Sequence, residues 1–287
     1  MDLELSTLFK LFVQERKYLK NVTPQTIEWY ESSWKLLGSR FAACRTTAEI
    51  AAAIPREIIA FRKERPAVSE ITINSYARCV NAFFGWLALE EHIPKRLKIP
   101  TLKERQQAKK ILALPDVEKI KSHTPIGRNH CRVHMMALIA LDCGLRLSEI
   151  IHLRKADVDF DNLMIKVMGK GRKERLVPMS VFLLKRLFRW VRQHDGNLFE
   201  TGNGSLLGIA NAQRDLRAMG KKCGVTVGFH QMRHTFATHY LRSGGSIAYL
   251  RRILGHSCIE TTLVYEHLVT ADLKVVHDQH SLLGKLR

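Results

Sequence analysis

The chain has 287 residues, of which 46% are hydrophobic and 25% are charged. This composition excludes a disordered chain, and the length is sufficient for one large domain or two ordinary ones. The formal net charge is +19, and most of the excess lies C-terminal to residue 100. A positive field of this size attracts polyanions, which favours nucleic acid over a membrane surface, a ribosomal partner or a merely basic surface.

Cysteine usage and the N-terminal sequence indicate a cytoplasmic protein. The six cysteines form no C-x-x-C pair and lie in apolar or helical contexts, which favours reduced, buried thiols. The first residues lack a positively charged segment followed by an apolar one, and the sequence contains no run of about 18 apolar residues. We therefore expect neither a signal peptide nor a membrane span.

The first hundred residues predict four helices that form a small bundle. Apolar residues recur at helical spacing over residues 7–19, and Thr23 is an N-cap before Pro24. The third predicted helix opens at Ile54 and Pro55, and the fourth opens at Thr72. Phe83, Phe84 and Trp86 are assigned to the core, because aromatic residues at helical spacing are more often buried than used to stack bases.

The segment from Pro94 to Lys110 predicts an exposed linker between two domains. It contains seven lysines and arginines and the single acid Glu104. Proline and clustered charge are typical of interdomain segments, although a solvated surface strip would have the same composition.

Helical patterns return from Ala113 onward and are interrupted by one predicted β-hairpin. Residues 163–168 alternate as a strand does, residues 169–173 form a glycine turn, and residues 174–178 return. Lys170 is therefore expected at the tip of the hairpin. Glycine-bearing loops are expected at residues 202–204 and 243–245.

Five segments of this half carry residue types suited to phosphoryl transfer. In chain order they are G-L-R-L-S-E-I with Arg146, G-K-G with Lys170, H-Q-M-R with His230 and Arg233, L-G-H with His256, and T-T-L-V-Y with Tyr265. Guanidinium forks can bind two oxygens of a phosphodiester, and a tyrosine can attack it. Glu149 lies three residues after Arg146, so it can orient that guanidinium.

His230 and Arg233 would share one face of a helix and could address one phosphate. His230 and His234 also resemble the histidine pair of a zinc hydrolase. Such enzymes place glutamate after the first histidine, where this chain has Gln231, and we expect no metal.

The ordered set resembles the tyrosine recombinases, the family of site-specific DNA recombinases and phage integrases that includes the Xer-type resolvases. The resemblance implies a mainly α fold: an N-terminal helical bundle, the SAM-like core-binding domain, and a mostly helical catalytic domain with a small antiparallel β-sheet. The expected divisions are a DNA-binding domain at 1–98, a basic linker at 99–112, a catalytic domain at 113–270 and a protomer-exchange tail at 271–287.

The resemblance also implies a role for each motif residue. Arg146 and Arg233 clamp the phosphate, His256 hydrogen-bonds a non-bridging oxygen, and His230 assists proton transfer at the nucleophile Tyr265. Lys170 protonates the departing 5′ oxygen. No cofactor is implied.

Double-stranded DNA and, on DNA, a homotetramer are the implied partners, with a monomer or weak oligomer in free solution and no membrane. Expected DNA contacts are Lys103, Arg105, Lys109, Lys110, Arg172, Lys173 and Arg175. The alternatives are a type IB topoisomerase, which uses the same residues, and a regulator that keeps the fold without the chemistry.

Overall fold

A computed structural model describes residues 4–103, 110–169 and 173–255 of the chain. The chain divides into two compact units, Met1–Gln107 and Ala108–Arg287. The architecture is mainly helical with one small antiparallel sheet, which confirms the predicted fold class. The predicted domain boundaries at 98 and 113 stay predictions.

Over residues 4–103 the N-terminal unit contains four α-helices, as predicted. They are α1 (Leu5–Tyr18), α2 (Pro24–Leu36), α3 (Thr47–Glu64) and α4 (Glu70–Leu89), with a 3-10 turn at Gly38–Phe41. The side chain of Thr23 accepts a hydrogen bond from the backbone N–H of Thr26, which confirms the predicted N-cap of α2.

The predicted start of the third helix is wrong. Helix α3 begins at Thr47, after the N-cap Thr46, and Pro55 lies in its interior. Proline removes the hydrogen bond to the carbonyl of Ala51. Both Pro55 and Ala51 are exposed, so water can bind that carbonyl and the helix continues through the proline.

Aromatic side chains form a large part of the core of the N-terminal unit. Phe83, Phe84 and Trp86 are buried, which confirms their assignment to the core. The ring of Phe83 contacts Phe9 and Trp34 edge-on, with centroids 5.3 and 5.2 Å apart. Such contacts add to the stabilisation by buried area.

The first part of the predicted exposed linker is instead packed on the N-terminal unit. Leu97 and Ile99 are buried in its core. The amide of Asn81 accepts from the N–H of Ile99 (2.7 Å) and donates to its carbonyl (3.0 Å). Asn74 makes the same pair of bonds with Leu102, at 2.8 and 2.9 Å. The apolar residues among the lysines explain the difference, since they can be buried while the charges stay in water.

The C-terminal unit is built around one buried helix. Residues 132–140 of α6 are all buried, and α6 packs against helices on several sides. Among the described residues of this unit the helices are α5 (Leu114–Ser122), α6 (Arg128–Cys143), α7 (Leu147–Ile151), α8 (Val181–Val191), α9 (Ile209–Lys222), α10 (Phe229–Arg242) and α11 (Ile247–Leu254), with a 3-10 turn at Lys155–Asp157.

The predicted hairpin is confirmed and belongs to a sheet of order β1-β2-β3. Strands β2 (Met164–Met168) and β3 (Glu174–Pro178) pair antiparallel, with Ile165 opposite Val177. The two-residue strand β1 (Val158–Asp159) pairs with β2 and was not predicted. Such a short strand has too few residues to display an alternating pattern.

The five described cysteines are free thiols. Cys44, Cys79 and Cys143 are buried as expected, whereas Cys131 and Cys223 are half-buried. Burial raises the pKa of Cys79 to about 12, so this thiol is unreactive at neutral pH. Among the described residues, no helix is long and apolar enough to cross a membrane.

Candidate active site

Arg146 stands at a sharp change of chain direction. Helix α6 ends at Cys143, and Gly144 adopts the left-handed conformation with φ of 64°. A Cβ atom at Gly144 would lie 2.3 Å from the ring of Phe236, so the position requires glycine for both reasons. Arg146 then becomes the N-cap of α7.

The carboxylate of Glu149 holds Arg146 by two bonds. It accepts from the backbone N–H of Arg146 at 2.8 Å and from the Nη1 atom at 2.9 Å. This geometry confirms that Glu149 can orient the guanidinium. The Arg146 side chain remains 36% exposed, so part of its fork faces solvent.

A second arginine, Arg175 on β3, binds the same carboxylate. Its Nη1 and Nη2 atoms donate to the two oxygens of Glu149 at 3.0 and 2.8 Å. Burial raises the pKa of Glu149, but the bonds and charges of Arg175 and Arg146 outweigh this effect. The pKa of Glu149 therefore lies below its ordinary value, and the carboxylate is ionised at neutral pH.

Arg233 is buried where the C-terminal ends of two helices meet. Its Nη1 atom donates to the carbonyl of Gly144 at 2.6 Å, and its Nη2 atom donates to the carbonyl of Leu254 at 2.8 Å. Helix C-termini carry partial negative charge, which stabilises a buried guanidinium. Nη1 also lies 4.0 Å from Glu149, so Glu149 connects Arg146, Arg175 and Arg233.

His230 lies in the first turn of α10, three residues before Arg233, as the sequence predicts. His230 is exposed, and its ring meets that of His234 edge-on with centroids 5.2 Å apart. His234 also lines an open groove with Lys110, Thr226 and Gln231. Within the described ranges, no group of three His, Cys, Asp or Glu side chains could hold a metal ion.

Several predicted site residues lie outside the described residues. These are Lys170, His256 and Tyr265 of the proposed chemistry, and Arg105, Lys109 and Arg172 of the proposed DNA contacts. Lys103, Lys110 and Lys173 are described and exposed, so their side chains are accessible to a polyanion.

Arg175 does not have the position expected of a phosphate or minor-groove contact. Its side chain is 12% exposed, and its guanidinium is turned onto Glu149 and α11. The sequence carries a signal that points to this position: alternation along β3 places Arg175 on the same face as the buried Val177, with Leu176 on the other. The prediction was based on the positive charge of Arg175 and did not take the alternation along β3 into account.

Solved structures with the same fold include recombinases and integrases. The Tn1549 transposon integrase in complex with transposon right end DNA aligns with a TM-score of 0.75 and 22% identity, over 96% of this chain and 99% of that one. XerH recombinase bound to a palindromic difH substrate aligns with a TM-score of 0.73 and 19% identity, over 95% of this chain and 84% of that one.

Sequence comparison identifies the family directly. Residues 106–271 match the model of the phage integrase family. Tyrosine recombinase XerA of Thermococcus kodakarensis is 31% identical over 76% of this chain and 78% of its own. XerD of Listeria innocua is 29% identical over 91% and 93%. The chain therefore belongs to the phage integrase family and is a tyrosine-type site-specific DNA recombinase. These comparisons do not favour the topoisomerase and regulator alternatives.

Proposed function

We propose that the chain cuts and rejoins two duplex DNA sites through a 3′-phosphotyrosine intermediate on Tyr265. The observation that supports this most is that two guanidinium groups are fixed around one buried carboxylate: Glu149 bonds Arg146, and Arg233 lies 4.0 Å from the same carboxylate. The carbonyls of Gly144 and Leu254 hold Arg233 in place. Fixed donors stabilise the charge that develops on a phosphodiester under attack without reorganising during the reaction.

In the proposed cleavage step, the phenolic oxygen of Tyr265 attacks the scissile phosphorus and the bond to the 5′ oxygen breaks. His230 assists removal of the phenolic proton, and Lys170 gives a proton to the departing 5′ oxygen. His256 hydrogen-bonds a non-bridging oxygen. The phosphotyrosyl bond conserves the energy of the broken diester, so a 5′ hydroxyl can rejoin without ATP.

The proposed partner is double-stranded DNA, bound by both units. The net charge of +19 and the exposed Lys103, Lys110 and Lys173 support a phosphate-binding surface. In this proposal residues 1–98 and 113–270 grip the duplex and residues 99–112 join them, with the first of these residues, up to Leu102, packed on the N-terminal unit. Residues 271–287, with their apolar Leu273, Val276, Leu282 and Leu283, dock on a neighbouring protomer of a tetramer.

The experiment is covalent trapping of DNA with a Tyr265→Phe variant, in excess EDTA. Wild-type protein should form a detergent-resistant adduct, and the variant should form none while its DNA dissociation constant changes less than about threefold, because only the attacking oxygen is lost. Tyr249→Phe is the matched control, since Tyr249 is 61% exposed on α11. It should trap DNA as wild type does.

Two results would overturn the proposal. One is an adduct formed by Tyr265→Phe, and the other is cleavage that stops in EDTA and returns with a divalent ion. If wild-type protein forms the expected adduct, sequencing the trapped DNA would identify the target site.

A further inference from the structure

Arg175 is a part-buried cation that the proposed chemistry does not use. Each nitrogen of its guanidinium donates to an acceptor within the C-terminal unit. Nη1 and Nη2 bind the two oxygens of Glu149, and Nε donates to the carbonyl of Ile253 at 2.8 Å. Arginine is suited to such a site because its planar fork matches a carboxylate and leaves a third donor pointing sideways.

These bonds join β3 to two separate parts of the site. Glu149 belongs to α7, which follows Arg146, and Ile253 lies in the last turn of α11. Gly255, with φ of 64°, ends α11 directly beside the guanidinium, because a Cβ atom there would lie 3.0 Å from the Cζ atom of Arg175. The end of α11 therefore packs directly on the guanidinium.

The charges around Glu149 give this connection a chemical purpose. Glu149 also bonds Arg146 at 2.9 Å and lies 4.0 Å from Arg233. A carboxylate paired fully with those two arginines would weaken the field that they present to a phosphate. Arg175 occupies both carboxylate oxygens and offsets the negative charge. The carboxylate then reduces the positive field of Arg146 and Arg233 less, and its bond to Arg146 still fixes the orientation of that guanidinium.

We propose that Arg175 is a positioning residue for DNA strand cleavage, which fixes the Glu149 carboxylate and the end of α11 and thereby holds Arg146 and Arg233 against the scissile phosphate. This rests on the proposed function. Arg175 does not contact DNA in this proposal, so its loss should lower the rate of cleavage and leave DNA affinity nearly unchanged.

The test compares Arg175→Lys with Arg132→Lys in the full chain. Arg132 is a matched control because it is also an arginine of the C-terminal unit with little solvent exposure. It pairs with the carboxylate of Asp215 at 3.4 Å and bonds the carbonyl of Glu200. For both variants we would measure melting temperature, DNA dissociation constant and the single-turnover rate of adduct formation at saturating DNA.

Both variants should melt at a lower temperature than wild type, since lysine cannot replace the fork. Arg175→Lys should lower the adduct rate about 10- to 100-fold, as loss of a supporting bond around a reactive group typically does. Its dissociation constant should change less than about threefold. Arg132→Lys should keep the rate within about twofold of wild type. In a Glu149→Gln background, Arg175→Lys should slow the reaction much less, because the shared partner is already lost.

Each other outcome overturns the proposal. Weaker DNA binding with an unchanged rate would make Arg175 a DNA contact, and a wild-type rate with wild-type affinity would make it a packing residue. If Arg175→Lys does not fold, Arg175→Gln combined with Glu149→Gln removes both charges together, and a wild-type rate from that pair would contradict the proposal. An adduct on Tyr265→Phe would instead refute the proposed function, whatever Arg175→Lys does.

Discussion

The two units of this recombinase fill their interiors differently. The core of the N-terminal unit is made of aromatic and aliphatic side chains. Over residues 4–103 its buried polar residues are Ser33 and Asn74. The core of the C-terminal unit is mostly aliphatic, but it also encloses charged and polar groups. Its buried polar residues within the described ranges are Arg132, His134, Arg233, Thr235 and Thr238.

The difference shows that burial serves two purposes in one chain. Apolar packing stabilises the fold, and its partners can be exchanged for others of similar volume. A buried guanidinium contributes little net stability, since removing it from water offsets much of what its bonds return. Arg233 places a fixed positive charge at the meeting of α6 and α11, where the proposed reaction uses it. Substitutions in the N-terminal core should therefore lower stability alone, whereas substitutions beside Arg233 should lower both stability and the adduct rate.

The largest effect on stability should come from Phe83→Ala in the aromatic core. Phe83 is fully buried, so its loss should lower the free energy of unfolding by about 3–5 kcal/mol. Urea unfolding followed by circular dichroism would measure this, and the folded protein should form DNA adducts at the wild-type rate. Leu89→Ala, at a side chain 75% exposed, is the control and should change stability by less than about 0.5 kcal/mol. A slow adduct rate in folded Phe83→Ala would contradict the inference that the N-terminal core contributes to stability and not to the chemistry.

A somewhat smaller loss is expected from Gly144→Ala, which lies beside the buried Arg233. The left-handed conformation and the approach to Phe236 together should lower the free energy of unfolding by roughly 2–4 kcal/mol. The adduct rate should fall too, because the carbonyl of Gly144 positions Arg233. Gly224→Ala is matched, since φ is 65° there and no atom lies within 4 Å of the added Cβ; about 1–2 kcal/mol is expected. Equal losses in the two variants would show that the contact with Phe236 relaxes.

The smallest of the three effects should be that of Glu149→Gln, and it should depend on pH. A carboxyl whose pKa is lowered on folding stabilises the folded protein above its ordinary pKa of 4.5. That contribution is lost as the pH falls through the lower, folded pKa. Wild type should exceed the variant by about 1.5–3 kcal/mol at pH 7, and the difference should shrink progressively below about pH 4.5. A difference that stays constant down to pH 3 would show that charge is not its origin.

The sequence predicts most strongly what depends on local pattern. Thr23 before Pro24 is a cap of the kind that short-range chemistry specifies, and the glycine turn between two alternating runs indicates a hairpin. The third helix was misplaced because Pro55 is compatible with a helix start and, on an exposed face, with a helix interior. Only tertiary exposure separates the two.

The contacts of the site could be predicted where the two partners are close in sequence. Arg146 and Glu149 are three residues apart, so their bond could be inferred from helix geometry. Arg175 is 26 residues from Glu149 and lies on a strand, whereas Glu149 lies on a helix. A single sequence does not show that two such residues are close in space. Its inward position was available only from the period of β3, and its partners only from the fold.

The paired asparagines of α4 have a consequence for engineering this protein. Asn81 and Asn74 each bond both the N–H and the carbonyl of one residue, Ile99 and Leu102 respectively. An insertion or deletion of one residue between 99 and 102 would shift the backbone groups of Ile99 or Leu102 away from their asparagine. It would also turn a buried side chain toward solvent. Affinity tags, fluorophores or lengthened tethers are therefore best introduced after residue 102, where the spacing that α4 imposes on the chain has ended.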